Sequence, residues 1–79
     1  MTLKIISAEG IVFEGKVTAV HLPGSNGEFT VLKNHASLIS SLVPGTIRYQ
    51  QEGSDELKTV ETGGGIVDVD KNVVSVCIY

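Results

Sequence analysis

Apolar residues recur at every second position in short runs, and glycine-containing breaks separate the runs. That period is the mark of half-buried strands, and helical spacing of apolar residues is almost absent. Leu3–Ser7 is the first run; Ile11–Phe13 and Lys16–Leu22 follow, divided by Glu14-Gly15. Pro23-Gly24-Ser25-Asn26-Gly27 is a turn cluster. Glu28–Leu32 places Phe29 and Val31 on one face, and Ala36–Val43 mixes apolar residues with serines before Pro44-Gly45. Thr46–Gln51 sets Ile47 and Tyr49 opposite Arg48 and Gln50. A polar turn, Glu52–Glu56, leads to a modest strand, Leu57–Thr62, and then to Gly63-Gly64-Gly65. Ile66–Val69 and Val73–Ile78 flank a hairpin turn, Asp70-Lys71-Asn72, with Val74, Val76 and Ile78 sharing a face.

In Lys16–Leu22 the alternation fails: Val17 lies on one face, Val20 and Leu22 on the other. Either both faces are covered or a bulge shifts the register. Many short strands at close spacing predict an all-β fold, a small flattened β-sandwich or barrel of about eight to ten short strands. No helix-sized amphipathic segment is available to cover a sheet, so a second sheet must do it. With 79 residues the chain is a single domain, residues 1–79. A chain of this size buries only about 60% of its unfolded surface, so a large enclosed active site is not expected.

Composition narrows the partners. Six Lys and Arg face nine Asp and Glu, a net charge of −3, which argues against nucleic acid. The charge is uneven. Residues 1–49 carry four basic and three acidic side chains, whereas residues 50–79 carry two basic and six acidic ones. The two ends of the domain therefore meet different partners, or the acidic part is a solvated hairpin. Cys77 is the only cysteine, which excludes an internal disulfide and a multi-cysteine metal site and suits a reducing cytosol. No apolar run approaches the roughly 20 residues of a membrane helix, and the N-terminus turns polar too soon for a signal peptide.

Candidate chemistry is sparse. His21 and His35 are the only histidines, and although Ser37, Ser40 and Ser41 follow His35, spacing alone does not make a triad. Two histidines with no nearby cysteine are a weak zinc signal. Gly63-Gly64-Gly65 lacks the Gly-Lys-Ser/Thr ending of a phosphate loop and precedes no helix, so a tight turn between strands is the simpler reading. Lys71, at a hairpin tip, has the position of the lipoylated or biotinylated lysine of a swinging-arm carrier domain. Its neighbour Asn72 is not the usual small residue or Met, and an exposed turn lysine explains it as well. No catalytic residue, cofactor or metal is assigned.

Pro23–Gly45 is the most informative segment. Leu22–Gly27, Glu28-Phe29, Val31-Leu32, His35-Ala36, Leu38 and Pro44–Arg48 follow the pattern Leu-Pro-Gly-x-x-Gly-Glu-Phe-Gly-Val-Leu-x-x-His-Ala-x-Leu, then Pro-Gly-x-Ile-Arg. This resembles the signature of the epsilon subunit of F-type ATP synthases. Glu9–Gly15 resembles the family's first turn and second strand, and Gly63–Val69 with Asn72–Val76 resembles its Gly-Gly-x-x-x-Val and Asn-x-Val-x-Val ending. Two departures lie inside the signature. Thr30 stands where Gly is usual, so that position does not need a positive φ, and Lys33-Asn34 stands where Pro-Asn or Pro-Gly is common. Family members usually continue into two C-terminal helices that carry inhibition and, in some, a nucleotide site. These 79 residues end before them. Either the subunit is naturally short or the sequence is part of a longer chain.

The resemblance implies a sandwich without the C-terminal helical hairpin and a non-catalytic rotor subunit of the central stalk. It would hold gamma and the c-ring together as one turning unit of a proton- or sodium-driven enzyme. The location implied is the cytoplasmic side of the bacterial inner membrane, with membrane contact only through the c-ring. Ser25, Asn26, Glu28 and Phe29 would face the c-ring, Glu28 opposite an arginine of its polar loop. An exposed pair of that kind contributes about 0–1 kcal/mol, so it would set register more than affinity. His35, Ser37, Leu38 and Ser41 would face gamma, where apolar residues interleaved with serines suit a flat, partly polar contact. Local alternatives are a turn-stabilising carboxylate at Glu28 and a satisfied loop histidine at His35. Without the helices, residues 1–79 should not inhibit ATP hydrolysis.

Overall fold

The computed structural model describes residues 1–79 as eight strands with no helix. They are β1 (Thr2–Ser7), β2 (Gly10–Gly24), β3 (Gly27–Leu32), β4 (Leu38–Leu42), β5 (Gly45–Gln51), β6 (Leu57–Thr62), β7 (Gly65–Asp70) and β8 (Val73–Ile78). Alternation in the sequence becomes alternation of burial: β7 buries Val67 and Val69, β8 buries Val74 and Val76, and β5 buries Ile47 and Tyr49.

β2 organises the domain. It runs unbroken through Glu14-Gly15, where the sequence suggests two strands. Fifteen residues of extended chain would span roughly 45–50 Å. The Cα trace is only 29 Å in its longest dimension, so β2 has to bend. Two bulges bend it. Val12 has no partner between the pairs Ile5↔Phe13 and Ile6↔Ile11, and Thr18 has none between Val17↔Gln51 and Ala19↔Gln50. The Thr18 bulge resolves the broken alternation, because one extra residue lets Val17, Val20 and Leu22 all point into the core.

The first half of β2 pairs with β1, and the second half pairs with β3 and β5. One layer is therefore β4-β7-β8-β1 with the start of β2. The other is β3, the end of β2, β5 and β6. β1 and β8 run parallel, and every other pair is antiparallel. The single pair Gly24↔Leu42 joins β2 to β4 and closes the ring β1-β8-β7-β4-β2. Thirteen buried apolar residues fill the space between the layers, among them Leu3, Ile5, Leu22, Val31 and Ile47 with no exposed surface. Each such side chain contributes about 1.5–3 kcal/mol on burial.

The strand expected over Ala36–Val43 is shorter in the fold, Leu38–Leu42, since residues 33–37 form a loop and Val43 lies past the strand's end. Asn34 takes φ 64°, its amide donates to Asn72 Oδ1 at 2.6 Å, and Asn72 Nδ2 donates back to Asn34 Oδ1 at 2.9 Å. Ser37 Oγ donates to Asp70 Oδ1 at 2.8 Å. These bonds tie the loop to the tip of the β7–β8 hairpin. There Lys71 and Asn72 take φ 50° and 63°, as the central pair of a two-residue hairpin turn of the mirror-image type does.

Candidate interaction surfaces

The β2–β3 hairpin forms the first surface. Gly24 pairs with Gly27, which leaves Ser25 and Asn26 as an exposed two-residue tip. The Phe29 ring turns back over Gly24 and packs against the core. A Cβ at Gly24 would lie 2.8 Å from that ring, so glycine is required by close approach rather than by backbone angle. Of the four residues expected at the c-ring, Ser25, Asn26 and Glu28 are thus exposed, and Phe29 mainly braces the turn from beneath. Glu28 is already engaged within the chain: Arg48 Nη2 donates to its Oε1 at 2.7 Å.

The outer face of the β4-β7-β8-β1 layer forms the second surface. Register places Ser41, Ile66, Cys77, Ile6 and Ile11 side by side across five strands. Ile66 is 51% exposed and Ile11 60%. The next row holds Ile39, Asp68, Ser75 and Lys4, with Ile39 75% exposed. The row thus sets exposed apolar side chains beside polar ones on a solvent-facing sheet, which makes it a candidate contact surface. Ser37, Leu38, Ile39, Asp68, Val69 and Asp70 line a shallow open depression at its edge. Of the residues expected to face gamma, Ser41 is in the apolar row, Ser37 and Leu38 border the depression, and His35 is in the adjoining loop.

The two surfaces meet. Ser25 N donates to the Ser41 carbonyl at 3.0 Å, the two hydroxyls are 2.7 Å apart, and Val43 N donates to the Pro23 carbonyl at 2.9 Å. Residues assigned to different partners therefore share one hydrogen-bonded seam, at the place where β2 meets β4.

Neither histidine is linked to a serine. His35 Nδ1–H donates to the Ala36 carbonyl at 2.7 Å, and His21 Nδ1 bonds the Thr30 hydroxyl at 2.8 Å. Ser37, Ser40 and Ser41 bond Asp70, the Ser41 carbonyl and Ser25. No three His, Cys, Asp or Glu side chains converge as metal ligands. Neither the apolar row nor the role of Arg48 stands out in the sequence. The signal for Ile66 is present there, since it alternates with the buried pair Val67 and Val69.

The fold defines a small all-β sandwich domain. The chain belongs to the delta/epsilon chain β-sandwich domain family of ATP synthase, whose model matches residues 1–78. An ATP synthase epsilon chain of Desulfitobacterium hafniense is 44% identical over 75 residues, covering 95% of this chain and 55% of that protein. One from Campylobacter jejuni is 42% identical over 72 residues, covering 90% and 56%. The chain thus spans about half the length of the curated relatives it matches. Among solved structures, a chain of the Euglena gracilis mitochondrial ATP synthase OSCP/F1/c-ring assembly matches with TM-score 0.88 at 23% identity, covering 96% of this chain and 48% of that one. One from the central stalk and c-ring of Tetrahymena thermophila mitochondrial ATP synthase matches with TM-score 0.80 at 14% identity, covering 99% and 62%. At these identities the two structures speak for the fold. The family match leaves the swinging-arm reading of Lys71 without support, although Lys71 does occupy an exposed hairpin tip. No helix of the structure is long and apolar enough to cross a membrane.

Proposed function

We propose that this domain is a non-catalytic rotor element of a proton- or sodium-translocating F-type ATP synthase, clamped between gamma and the c-ring. The observation that carries this, beside the family, is the outward-facing row Ile66-Cys77-Ile6-Ile11, in which Ile6 is half-buried and the others are exposed, with the exposed Ile39 next to it. It offers an apolar face to gamma. The Ser25–Glu28 tip, polar and acidic, is offered to the polar loops of the c-ring, with Glu28 toward a cationic group there. Two surfaces on one small sandwich suit torque transfer. The sheets share β2, so load on one surface reaches the other through a single continuous strand and the Ser25–Ser41 seam. The domain then stands at the cytoplasmic side of a bacterial inner membrane and touches the bilayer only through the ring.

Capture of the chain from its native membranes in mild detergent tests this, with the mass of the intact assembly and of each released subunit measured. Co-release with gamma, the catalytic subunits and the c-ring supports the proposal. Release with no ATP synthase subunit overturns it.

A further inference from the structure

Glu28 is the one carboxylate that Arg48 touches, although the two residues are not register partners. Glu28 is opposite Pro23 on β2, and Arg48 is opposite His21, so the pair spans β2 diagonally from β3 to β5. Every other neighbour of Arg48 on that face is uncharged or takes another bond. Thr59 is across β6, Thr46 donates to Glu61 Oε1 at 2.6 Å, Gln50 donates to the Ser54 carbonyl, and His21 bonds Thr30. Arg48 itself rises from a rigid strand, held by the buried Ile47 and Tyr49 on either side of it.

We propose that Arg48 is a positioning residue for Glu28 at the ring contact, an inference that rests on the ring-facing role of the Ser25–Glu28 tip. A glutamate beside a turn samples many rotamers, and docking would have to freeze them. Arg48 holds the carboxylate by Oε1 before docking, and Oε2, which has no protein partner, is left to accept from a cation on the ring. Because Arg48 is already balanced by Glu28 at 2.7 Å, an incoming cation meets a carboxylate rather than a bare positive charge. The arrangement is a relay of Arg48, Glu28 and a ring cation, with Glu28 bridging.

The test is equilibrium binding of fluorescently labelled chain to a detergent-solubilised assembly of gamma and c-ring. The variants are Glu28→Gln, Arg48→Met, Arg48→Lys and the double variant E28Q/R48M, with thermal melts to confirm folding. Glu28→Gln and Arg48→Met are each expected to weaken binding about three- to fivefold, the range of an exposed ion pair. Arg48→Lys should fall between Arg48→Met and the unaltered chain, since it keeps the charge and loses the planar fork. The double variant should be no weaker than Glu28→Gln alone. If Arg48→Met binds normally while Glu28→Gln is weak, the positioning role is overturned and the ring contact stands. If Arg48→Met costs as much in the Glu28→Gln background as in the unaltered chain, Arg48 does not act through Glu28, and the proposal fails. If Glu28→Gln binds normally, the ring-facing role of the tip is itself wrong.

Discussion

Replacing Ile66 with Asp separates docking from folding on the face assigned to gamma. In the free domain Ile66 is 51% exposed, between Ser41 and Cys77 in the outward row. Full burial of an isoleucine side chain is worth about 1.5–3 kcal/mol, and roughly half of that is still available for docking, about 1 kcal/mol. Ile66→Asp forfeits this amount and also places an unpaired carboxylate under the partner, at an effective cost of several kcal/mol. At 1.4 kcal/mol per decade, the combined loss predicts at least ~100-fold weaker binding to gamma. The fold should survive. The position faces solvent, so the cost is one of strand preference and of repulsion from Asp68 on the same face, about 1 kcal/mol. For a domain of this size that lowers Tm by roughly 4–8 °C. Calorimetric titration with purified gamma, paired with a thermal melt followed by circular dichroism, reads both quantities. Ile66→Ala, which only shortens the side chain, should lose no more than about tenfold. A folded Ile66→Asp variant that binds gamma within a few-fold of the unaltered domain would refute the assignment of this face.

Other outcomes follow from the same structure. Leu22→Ala removes a fully buried side chain and should cost about 2–5 kcal/mol, measured as a fall in the urea midpoint at constant slope. Gly65→Ala would drive a Cβ into the Cys77 carbonyl oxygen on β8 and should destabilise the domain by more than about 1 kcal/mol, whereas a glycine-to-alanine change at an open, compatible position stabilises by about 0.4–1 kcal/mol; a melt within a few degrees of the unaltered chain would contradict that contact. Glu28→Lys leaves two cationic side chains together at an exposed site, so it should weaken docking on the ring yet melt near the unaltered domain. Normal assembly and coupling in that variant would count against the ring contact. The 79-residue chain, added to the catalytic head, should leave ATP hydrolysis unchanged, and strong inhibition would show that the sandwich itself regulates.

Much of the fold is legible in the sequence because period-two alternation reports burial directly. Val67 and Val69, Val74 and Val76, and Ile47 and Tyr49 all point inward as their spacing dictates. The failed alternation at Val17 and Val20 carries the bulge at Thr18. What periodicity does not reveal is how β2 is shared. A continuous strand through Gly15 that leaves one sheet for the other depends on partners far along the chain. The same limit hides the two candidate surfaces. Ile66, Cys77, Ile6 and Ile11 come from four strands at opposite ends of the sequence and form a row only through register, including the parallel β1–β8 pairing. Arg48 and Glu28 lie 20 positions apart and meet diagonally across β2, so neither spacing nor motif announces the ion pair. The ends of the Pro23–Gly45 motif, by contrast, are brought together by the fold, since Ser25 and Ser41 meet at one hydrogen-bonded seam.

Hydroxyl-radical footprinting of the domain, free and in the assembled enzyme, tests the central claim most directly, because it reads side-chain exposure residue by residue. Ile39, Ile66 and Ile11 are 75%, 51% and 60% exposed in the free domain, and Leu57, on the opposite layer, is 47% exposed. Clamping between gamma and the c-ring predicts strong protection at Ile39, Ile66, Ile11 and the Ser25–Glu28 tip, and unchanged labelling at Leu57. Unchanged labelling at both the apolar row and the tip, in an assembly that contains the domain, would contradict it.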